Sequence, residues 1–404
     1  MKVVKYYIAK NIRMLIQLLV ILIIVTVIIV YSLYISEVIS FKIIGISDLN
    51  PYGGWSVLSE FLTDSSYVFE GINMSMALTI ALLIMTVIGG RFFCGWICPI
   101  GALQDFSAWL GKKLGVIRYK GVRSKSFDPI VLKYIFLLLL LLISVLGFGA
   151  VIADISPWRA FLSLPRFTAT WVDMKLGFAV LITILVVSVF ISRFFCRYLC
   201  PLGAAQTLFS SFSLFSLKHK EGCAKCNKCL EKCPVGLNFS NESNTISPEC
   251  IRCLECIDSC KVNLDNRVQI GFLNKKVDRQ YYIPLMLILF LLIWIGIPQI
   301  WSGQASIEDV SLGALKDGSY RGESKGFATK ITTEVKITNG KITEIKVINH
   351  KESKGWYEEV FMVIPEKIIE KQRLNVDVIS GATKSSKGLI NSIDNAVRKS
   401  LKNN

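Results

Sequence analysis

Twelve cysteines stand in this 404-residue chain, and eight of them fall in two runs of one spacing. Cys223-x2-Cys226-x2-Cys229-x3-Cys233-Pro234 is followed by Cys250-x2-Cys253-x2-Cys256-x3-Cys260. Three thiolates on a tight loop wrap one iron–sulfur cube, and the fourth, set further along, ligates the other cube. The spacing therefore predicts two [4Fe–4S] clusters. Cys223, Cys226, Cys229 and Cys260 would hold one, and Cys250, Cys253, Cys256 and Cys233 the second. Zinc is the competing ligand for C-x2-C pairs, but two complete runs of this form favour clusters. Lys261 stands where a proline usually follows the last cysteine, and the polar 234–249 linker is somewhat long. Neither feature removes a ligand.

The remaining four cysteines lie in a duplicated segment. RFFCGWICPIGALQ (91–104) and RFFCRYLCPLGAAQ (193–206) match at nine of 14 positions with an offset of 102. Each copy ends an apolar run, so the two halves read as parallel repeats related by an axis along the membrane normal. That axis would bring Cys94 and Cys98 towards Cys196 and Cys200. Spacing of i, i+4 sets each pair on one helix face or at a helix break. Pro99 and Pro201 favour the break, because proline suits the first turn of a new helix. Gly-Ala-x-Gln then opens a second, interfacial helix in each copy. Four thiolates are enough for an additional membrane iron–sulfur centre. Four reduced, buried thiols or two disulfides are the open alternatives.

Elements must position these groups, and the composition says which kind. Hydrophobic residues make up 52% of the chain and charged residues 19%, against roughly 25% charged in ordinary globular domains. Such hydrophobicity excludes a disordered protein. The net charge of +16 raises nucleic acid as a partner, but the long apolar runs argue for membrane lipid instead. Five stretches, roughly 14–34, 74–93, 131–152, 176–195 and 281–301, qualify as the ~20 mostly apolar residues that a spanning helix needs. The first is too long for a signal peptide and no small-residue cleavage site follows, so it reads as an uncleaved span.

With the N-terminus in the cytoplasm, the inside segments carry 25 basic and 10 acidic residues, and the outside segments 21 and 20. That partition obeys the positive-inside rule. All 12 cysteines then fall at or inside the cytoplasmic ends of the spans. His219 and His350 lie outside every span, and no C-x-x-C-H is present. Bis-histidine membrane haem and c-type haem are thereby excluded.

Beyond residue 303 the pattern becomes α+β. ITTEVKITNGKITEIKVINH alternates apolar and polar residues around Asn339-Gly340, a two-residue hairpin signal. Residues 386–402 read as an amphipathic helix with Leu389, Ile390, Ile393 and Val397 on one side. Between them, Asp377-Val-Ile-Ser380-Gly381-Ala382-Thr383 resembles the flavinylation motif of the covalent FMN-binding domain. That domain also occurs in subunits of the sodium-pumping NADH:quinone reductase and of the related ferredoxin:NAD reductase complex. The resemblance covers about 312–404. It includes the family's Lys-Asp-Gly-x-Tyr as Lys316, Asp317, Gly318, Ser319 and Tyr320, and its His-x-Glu as His350, Lys351 and Glu352.

The resemblance implies an FMN phosphate esterified to Thr383 by an exported flavin transferase using FAD and Mg²⁺. Asp377, Ser380, Gly381 and Ala382 would complete the binding motif. A hydroxyl on a glycine-containing turn is accessible, and Gly381 lets the backbone approach a phosphate. Lys384 would steady the phosphate charge. An ordinary surface turn is the plain alternative. His350 reads first as a solvated loop residue, and second as a contact to the flavin ring or a proton path.

As a whole, the chain is similar to the membrane polyferredoxin proteins that accompany nitrous oxide reductase, periplasmic nitrate reductase and reductive dehalogenases. In the nitrous-oxide type the flavin domain is N-terminal, whereas here it follows the membrane part, which leaves the partner reductase open. The expected fold is a polytopic α-helical membrane protein of about five spans with a parallel two-helix repeat. It carries a bacterial 2[4Fe–4S] ferredoxin-like module and a C-terminal α+β FMN-binding domain. The expected divisions are repeats at 1–115 and 116–217, the ferredoxin-like module at 218–275, the fifth span at 276–303 and the flavin domain at 304–404.

The expected function is electron transfer across a bacterial cytoplasmic membrane, between clusters on the cytoplasmic side and FMN outside. The donor side would meet a low-potential electron carrier or a membrane quinone, and the flavin an extracytoplasmic redox partner. Lys225, Lys228, Lys232 and Arg252 are either a solvated face or a dock for an acidic carrier such as ferredoxin or flavodoxin. Alternatives are a quinol dehydrogenase feeding an exported reductase and a redox-sensing assembly or regulatory protein.

Overall fold

The computed structural model describes residues 2–35, 38–39, 44–52, 54, 72, 74–116, 130–146, 152, 154–218, 228–237, 247–259, 268–272, 275–300, 315–327, 329–352, 357–374, 376, 379 and 382–401. The chain separates into two compact units. Residues 1–26, 77–161 and 176–297 make one, and 27–76, 162–175 and 298–404 the other.

Apolar helices occupy all five expected stretches. They are α1 (Lys2–Ile35), α2 (Met74–Gly89), α5 (Val131–Val145), α7 (Phe167–Phe190) and α12 (Arg279–Ile300). Short helices lie between them: α3 (Phe92–Trp96), α4 (Pro99–Lys113), α6 (Pro157–Ser163), α8 (Phe194–Tyr198), α9 (Pro201–Ser210), α10 (Lys228–Lys232) and α11 (Glu255–Ser259). Two segments, Ile12–Tyr34 and Arg279–Ile300, are long and apolar enough to cross a membrane. Met74–Gly89, Val131–Val145 and Met174–Phe190 are shorter apolar helices. At 1.5 Å per residue, the 16 residues of α2 rise about 24 Å, short of a ~30 Å hydrocarbon core. Non-helical dihedrals at Met174 (φ −117°, ψ 19°) interrupt α7.

The duplicated sequence gives a duplicated path. Each copy runs from an apolar helix into a five-residue helix, breaks, and restarts at proline. Cys98 (φ −61°, ψ 116°) and Cys200 (φ −70°, ψ 112°) are the extended residues at the two breaks. The break is therefore realised in both copies. Proline has no N–H to lose and its φ suits the first helical turn. In α4, Phe106, Trp109 and Leu110 are exposed while Gln104, Ser107, Ala108 and Gly111 are buried.

The ferredoxin-like segment leaves and rejoins this unit through a small antiparallel sheet. Strand β1 (Phe215–Lys218) pairs with β2 (Gln269–Phe272), and β2 with β3 (Lys275–Val277). Phe215 stands opposite Phe272, with ring centroids 4.8 Å apart. The two ends of the cysteine-bearing stretch are thus held on adjacent strands.

In the second unit, β4 (Gly318–Lys325), β5 (Lys330–Thr338) and β6 (Lys341–Asn349) form an antiparallel sheet. The predicted hairpin closes at Thr338↔Lys341, with Asn339 (φ 54°) and Gly340 (φ 69°) left-handed. Two such residues match the twist of the flanking strands. The Asp317 carboxylate accepts both turn amides, Asn339 N and Gly340 N, at 2.9 Å each. The helices are α13 (Glu358–Lys371) and α14 (Thr383–Leu401). Leu389, Ile393, Ala396 and Val397 of α14 bury against Ile331, Val335 and Ile337 of β5 and Val360, Ile364 and Ile368 of α13. The predicted terminal helix begins three residues earlier than its apolar pattern, at Thr383.

Candidate redox sites

The four cysteines of the repeat come together as its symmetry predicts. Cys94, Cys98 and Cys196 are buried and Cys200 is half-buried, and all four are free thiols. Cys98 and Cys200 each lie within electrostatic reach of the other three. The disulfide alternative is thereby set aside. Partners are exchanged between copies. Arg193 Nη1 donates to the Cys94 carbonyl at 2.5 Å and lies across Gly101, while Arg91 lies across Gly203. Gln104 of the first copy donates to Cys196 Sγ at 3.2 Å, and Gln206 of the second pairs with Cys94 Sγ at 2.8 Å.

Buried charge accompanies these thiols. Arg91, Arg193 and Lys133 are at most 2% exposed. Asp105 accepts from Arg193 (2.8 and 2.6 Å) and pairs with Arg13. Glu249 takes Arg91 at 2.8 Å, Tyr134 at 2.6 Å, and Lys133. Burial of unpaired charge costs several kcal/mol per ion, and here Arg91 and Lys133 meet Glu249 while Arg13 and Arg193 meet Asp105.

The second predicted ligand set lies against this structure within the same unit. Trp96 Nε1 donates to the Arg252 carbonyl at 2.9 Å, and Arg13 Nη1 reaches Glu255 at 3.1 Å. Cys253 lies in electrostatic reach of Cys233 and Cys250, and Cys256 of Cys250, Cys253, Cys233 and Cys229. Cys223, Cys226 and Cys260 lie outside the described residues. Arg252 (φ 53°) and Leu254 (φ 63°) adopt left-handed backbone on either side of Cys253. Alternating handedness of this kind turns successive amides inward and makes anion-binding concavities, including Fe–S sites. Burial pushes the Cys253 thiol up to about 12, and the Cys256 thiol well up, with neighbouring sulfurs adding to it. Such thiols become thiolates only beside a cation, and a bound metal supplies one.

Among the described residues, no three Cys, His, Asp or Glu side chains reach metal-holding spacing. The sulfurs are neighbours rather than closed cages. Their donor sets nevertheless suit iron–sulfur centres: reduced thiols, N–H groups directed at sulfur, and buried guanidinium groups that balance thiolate charge.

The flavin motif is described only in part. Asp377, Ser380 and Gly381 lie outside the described residues, and Thr383 is the first residue of α14. What holds that turn is visible. Ser386 Oγ accepts from Ile379 N at 3.0 Å and donates to the Ala382 carbonyl at 2.9 Å. Ser385 donates to buried Glu352, which also accepts from Phe327 N at 3.2 Å. The His-x-Glu segment is thus tied to the first turn of α14. His350 is a half-buried loop residue after β6. Its ring packs on Tyr357 and Phe361 at 4.4 and 4.7 Å, and burial lowers its pKa.

A 4Fe-4S binding domain model matches residues 74–117 and 175–219, and an FMN-binding domain model matches 326–398. The chain is 30% identical over 179 residues to the uncharacterised protein MJ0750 of Methanocaldococcus jannaschii, covering 44% of this chain and 72% of that one. The chain belongs to the membrane polyferredoxin family of electron-transport proteins. Other members include the regulatory protein NosR of Pseudomonas aeruginosa (32% identity; 46% of this chain, 28% of NosR). A further one is the ferredoxin-type protein NapH of Haemophilus influenzae (31%; 38% of this chain, 51% of NapH). The chain spans only 22% of the length of Paracoccus denitrificans NirI. No solved structure matches.

As a polyferredoxin, the chain carries [4Fe–4S] and FMN cofactors. The iron–sulfur match falls on the two copies of the sequence repeat and ends before Cys223. Asp105, Glu249, Gln104 and Gln206 were not singled out by sequence reasoning. Only the identity of Gln104 and Gln206 in the repeat marked any of them.

Proposed function

We propose that this polyferredoxin carries electrons across the membrane between cysteine-held clusters on the cytoplasmic side and an extracytoplasmic FMN esterified to Thr383. The observation that carries the reading is the seating of the 249–256 loop on the membrane cysteines. Arg193 lies in electrostatic reach of both Cys196 and Cys253. One buried guanidinium therefore faces thiols of both groups, which supports treating them as consecutive stations. When bound, the clusters supply one-electron transfer and FMN links one- to two-electron chemistry.

The chain's own residues do the rest. Cys250, Cys253, Cys256 and Cys233 hold one cluster, and Cys223, Cys226, Cys229 and Cys260 the other. Cys94, Cys98, Cys196 and Cys200 hold the membrane centre. Arg13, Arg91 and Arg193 balance thiolate charge, and aromatic groups around Trp96 and Tyr282 exclude water. Ser385, Ser386 and Glu352 fix the start of α14 and thereby Thr383. Charge partition supports five spans, with the N-terminus and the ferredoxin-like module inside and the flavin domain outside. The partners are then a cytoplasmic low-potential carrier or a quinone, an exported redox protein and an exported flavin transferase.

The test is denaturing electrophoresis of membranes under ultraviolet light. The wild-type band near 45 kDa fluoresces, and Thr383→Ala abolishes both the fluorescence and electron delivery to the outer acceptor. Electron delivery that survives this substitution overturns the reading. A regulatory role has one observation in its favour, the name of the relative NosR. Under that reading, electron delivery by Thr383→Ala is unchanged and a response of the partner system to redox state is lost.

A further inference from the structure

Three of the four sulfurs, those of Cys94, Cys196 and Cys200, take part in hydrogen bonds. The Gly203 amide donates to Cys200 Sγ at 3.3 Å, whereas the Gly101 amide, in the same place beside Cys98, closes no such cap bond. These are equivalent positions in the two copies. Gln104 Nε2 donates to Cys196 Sγ at 3.2 Å and to the Ile100 carbonyl at 3.2 Å. Its Oε1 accepts from Phe195 N at 3.1 Å and Ser188 Oγ at 3.4 Å, which fixes the orientation of the amide.

Gln206 is the counterpart and breaks the pattern. Its Oε1 accepts from the Cys94 thiol at 2.8 Å, and its Nε2 has no partner among the described residues. Both glutamines are 0% exposed. An unmatched buried N–H₂ costs roughly 1–3 kcal/mol. The oxygen and nitrogen of a carboxamide are assigned from their surroundings, and here the surroundings change with the state of Cys94. A thiol can donate to Oε1, whereas a metal-bound thiolate has no proton to give and would set lone pair against lone pair. Rotating the amide by half a turn removes that clash, gives Nε2 a partner, and restores the relation to Gln104.

We propose that Gln104 and Gln206 are reciprocal N–H···S donors, each reaching from one repeat to a ligand thiolate of the other. A centre on Cys94, Cys98, Cys196 and Cys200 then receives N–H donors on three sulfurs, Cys94 and Cys196 from the glutamines and Cys200 from the Gly203 amide. This rests on the reading that the four cysteines hold a cluster. Hydrogen bonds to sulfur tune cluster potential, and donation to thiolate stabilises the more negative, reduced state. The glutamines are thus positioning residues that raise the potential of the membrane centre.

The test uses the full-length protein in detergent, with iron analysis and redox titration followed by electron paramagnetic resonance. Cys94→Ser identifies the membrane centre by the iron and the signal it removes. Iron and signals equal to wild type in Cys94→Ser would overturn the cluster reading and the proposal with it. Gln206→Met and Gln104→Met keep volume and remove the donor. Each is expected to retain iron and to lower the equilibrium constant for reduction of that centre about tenfold, ~59 mV for a one-electron couple. An unchanged midpoint with full iron overturns the proposal and leaves the cluster intact. Should these variants fail to assemble, wild-type protein labelled with ¹⁵N-glutamine gives the answer. ¹⁵N hyperfine coupling to the signal absent from Cys94→Ser is expected, and its absence overturns the proposal.

Discussion

The two units treat charge in opposite ways. In the iron–sulfur unit, Arg91, Arg193 and Lys133 are enclosed and answered by Asp105 and Glu249. In the flavin unit the ion pairs are superficial: Arg321–Glu334, Lys330–Glu323, Lys346–Glu344 and Arg398–Asp394 all have a partner at least half exposed. The core there is aliphatic. The difference follows from what each unit must hold. Under the proposed function, several thiolates in a low-dielectric site need fixed counter-charge nearby, whereas the flavin unit buries carboxylates, Glu352 and Glu359, and none of those superficial ion pairs holds a buried cation.

Removing a buried anion should show the contrast at its largest. Glu249→Ala strands Arg91 and Lys133 and should cost about 3–5 kcal/mol, read as a fall in the thermal midpoint of the iron–sulfur unit in detergent. A loss below 1 kcal/mol would mean that water reaches those cations. Next comes Ile393→Ala in the flavin unit, where the side chain is 0% exposed. Its cavity should cost about 2–5 kcal/mol, with Thr383 flavinylation reduced in parallel because α14 carries both residues.

Acidification should separate the units next. The ordinary His350 pKa of about 6.5 is lowered by burial, against the pull of Glu352 and Glu358. The unfolded chain therefore binds more protons just below that value, and the linkage slope is positive. Stability of the flavin unit is full above pH ~6.5 and declines as pH falls below it. His350→Gln should flatten that decline in a pH series of thermal midpoints. The smallest effect is expected for Arg398→Ala, an exposed i, i+4 pair, at about 0.3–0.5 kcal/mol. A loss as large as that of Glu249→Ala would erase the distinction between the units.

Much of this was legible in the residues. The repeat foretold two helix breaks, and Pro99 and Pro201 placed them to the residue. Asn339-Gly340 foretold the hairpin, since both positions need left-handed backbone that Asn and Gly tolerate. The five apolar helices fall where hydropathy puts them, although three are too short to qualify alone as spans. The aromatic neighbours of the loop residue His350, Tyr357 and Phe361, were not legible because they stand at the start of the following helix and in no local pattern.

By itself, the sequence determined the local pattern: cysteine spacing, helix breaks, strand alternation and the Asn339-Gly340 turn. All are set by dihedral preference and by periodicity over a few residues. Only the tertiary structure decided which charges face which thiols. Arg193 finds Asp105 across 88 residues, Arg91 finds Glu249 across 158, and Gln206 finds Cys94 across 112. Such pairs form because a buried charge or amide must meet a complement once water is excluded. No short-range rule states in advance which one it will be.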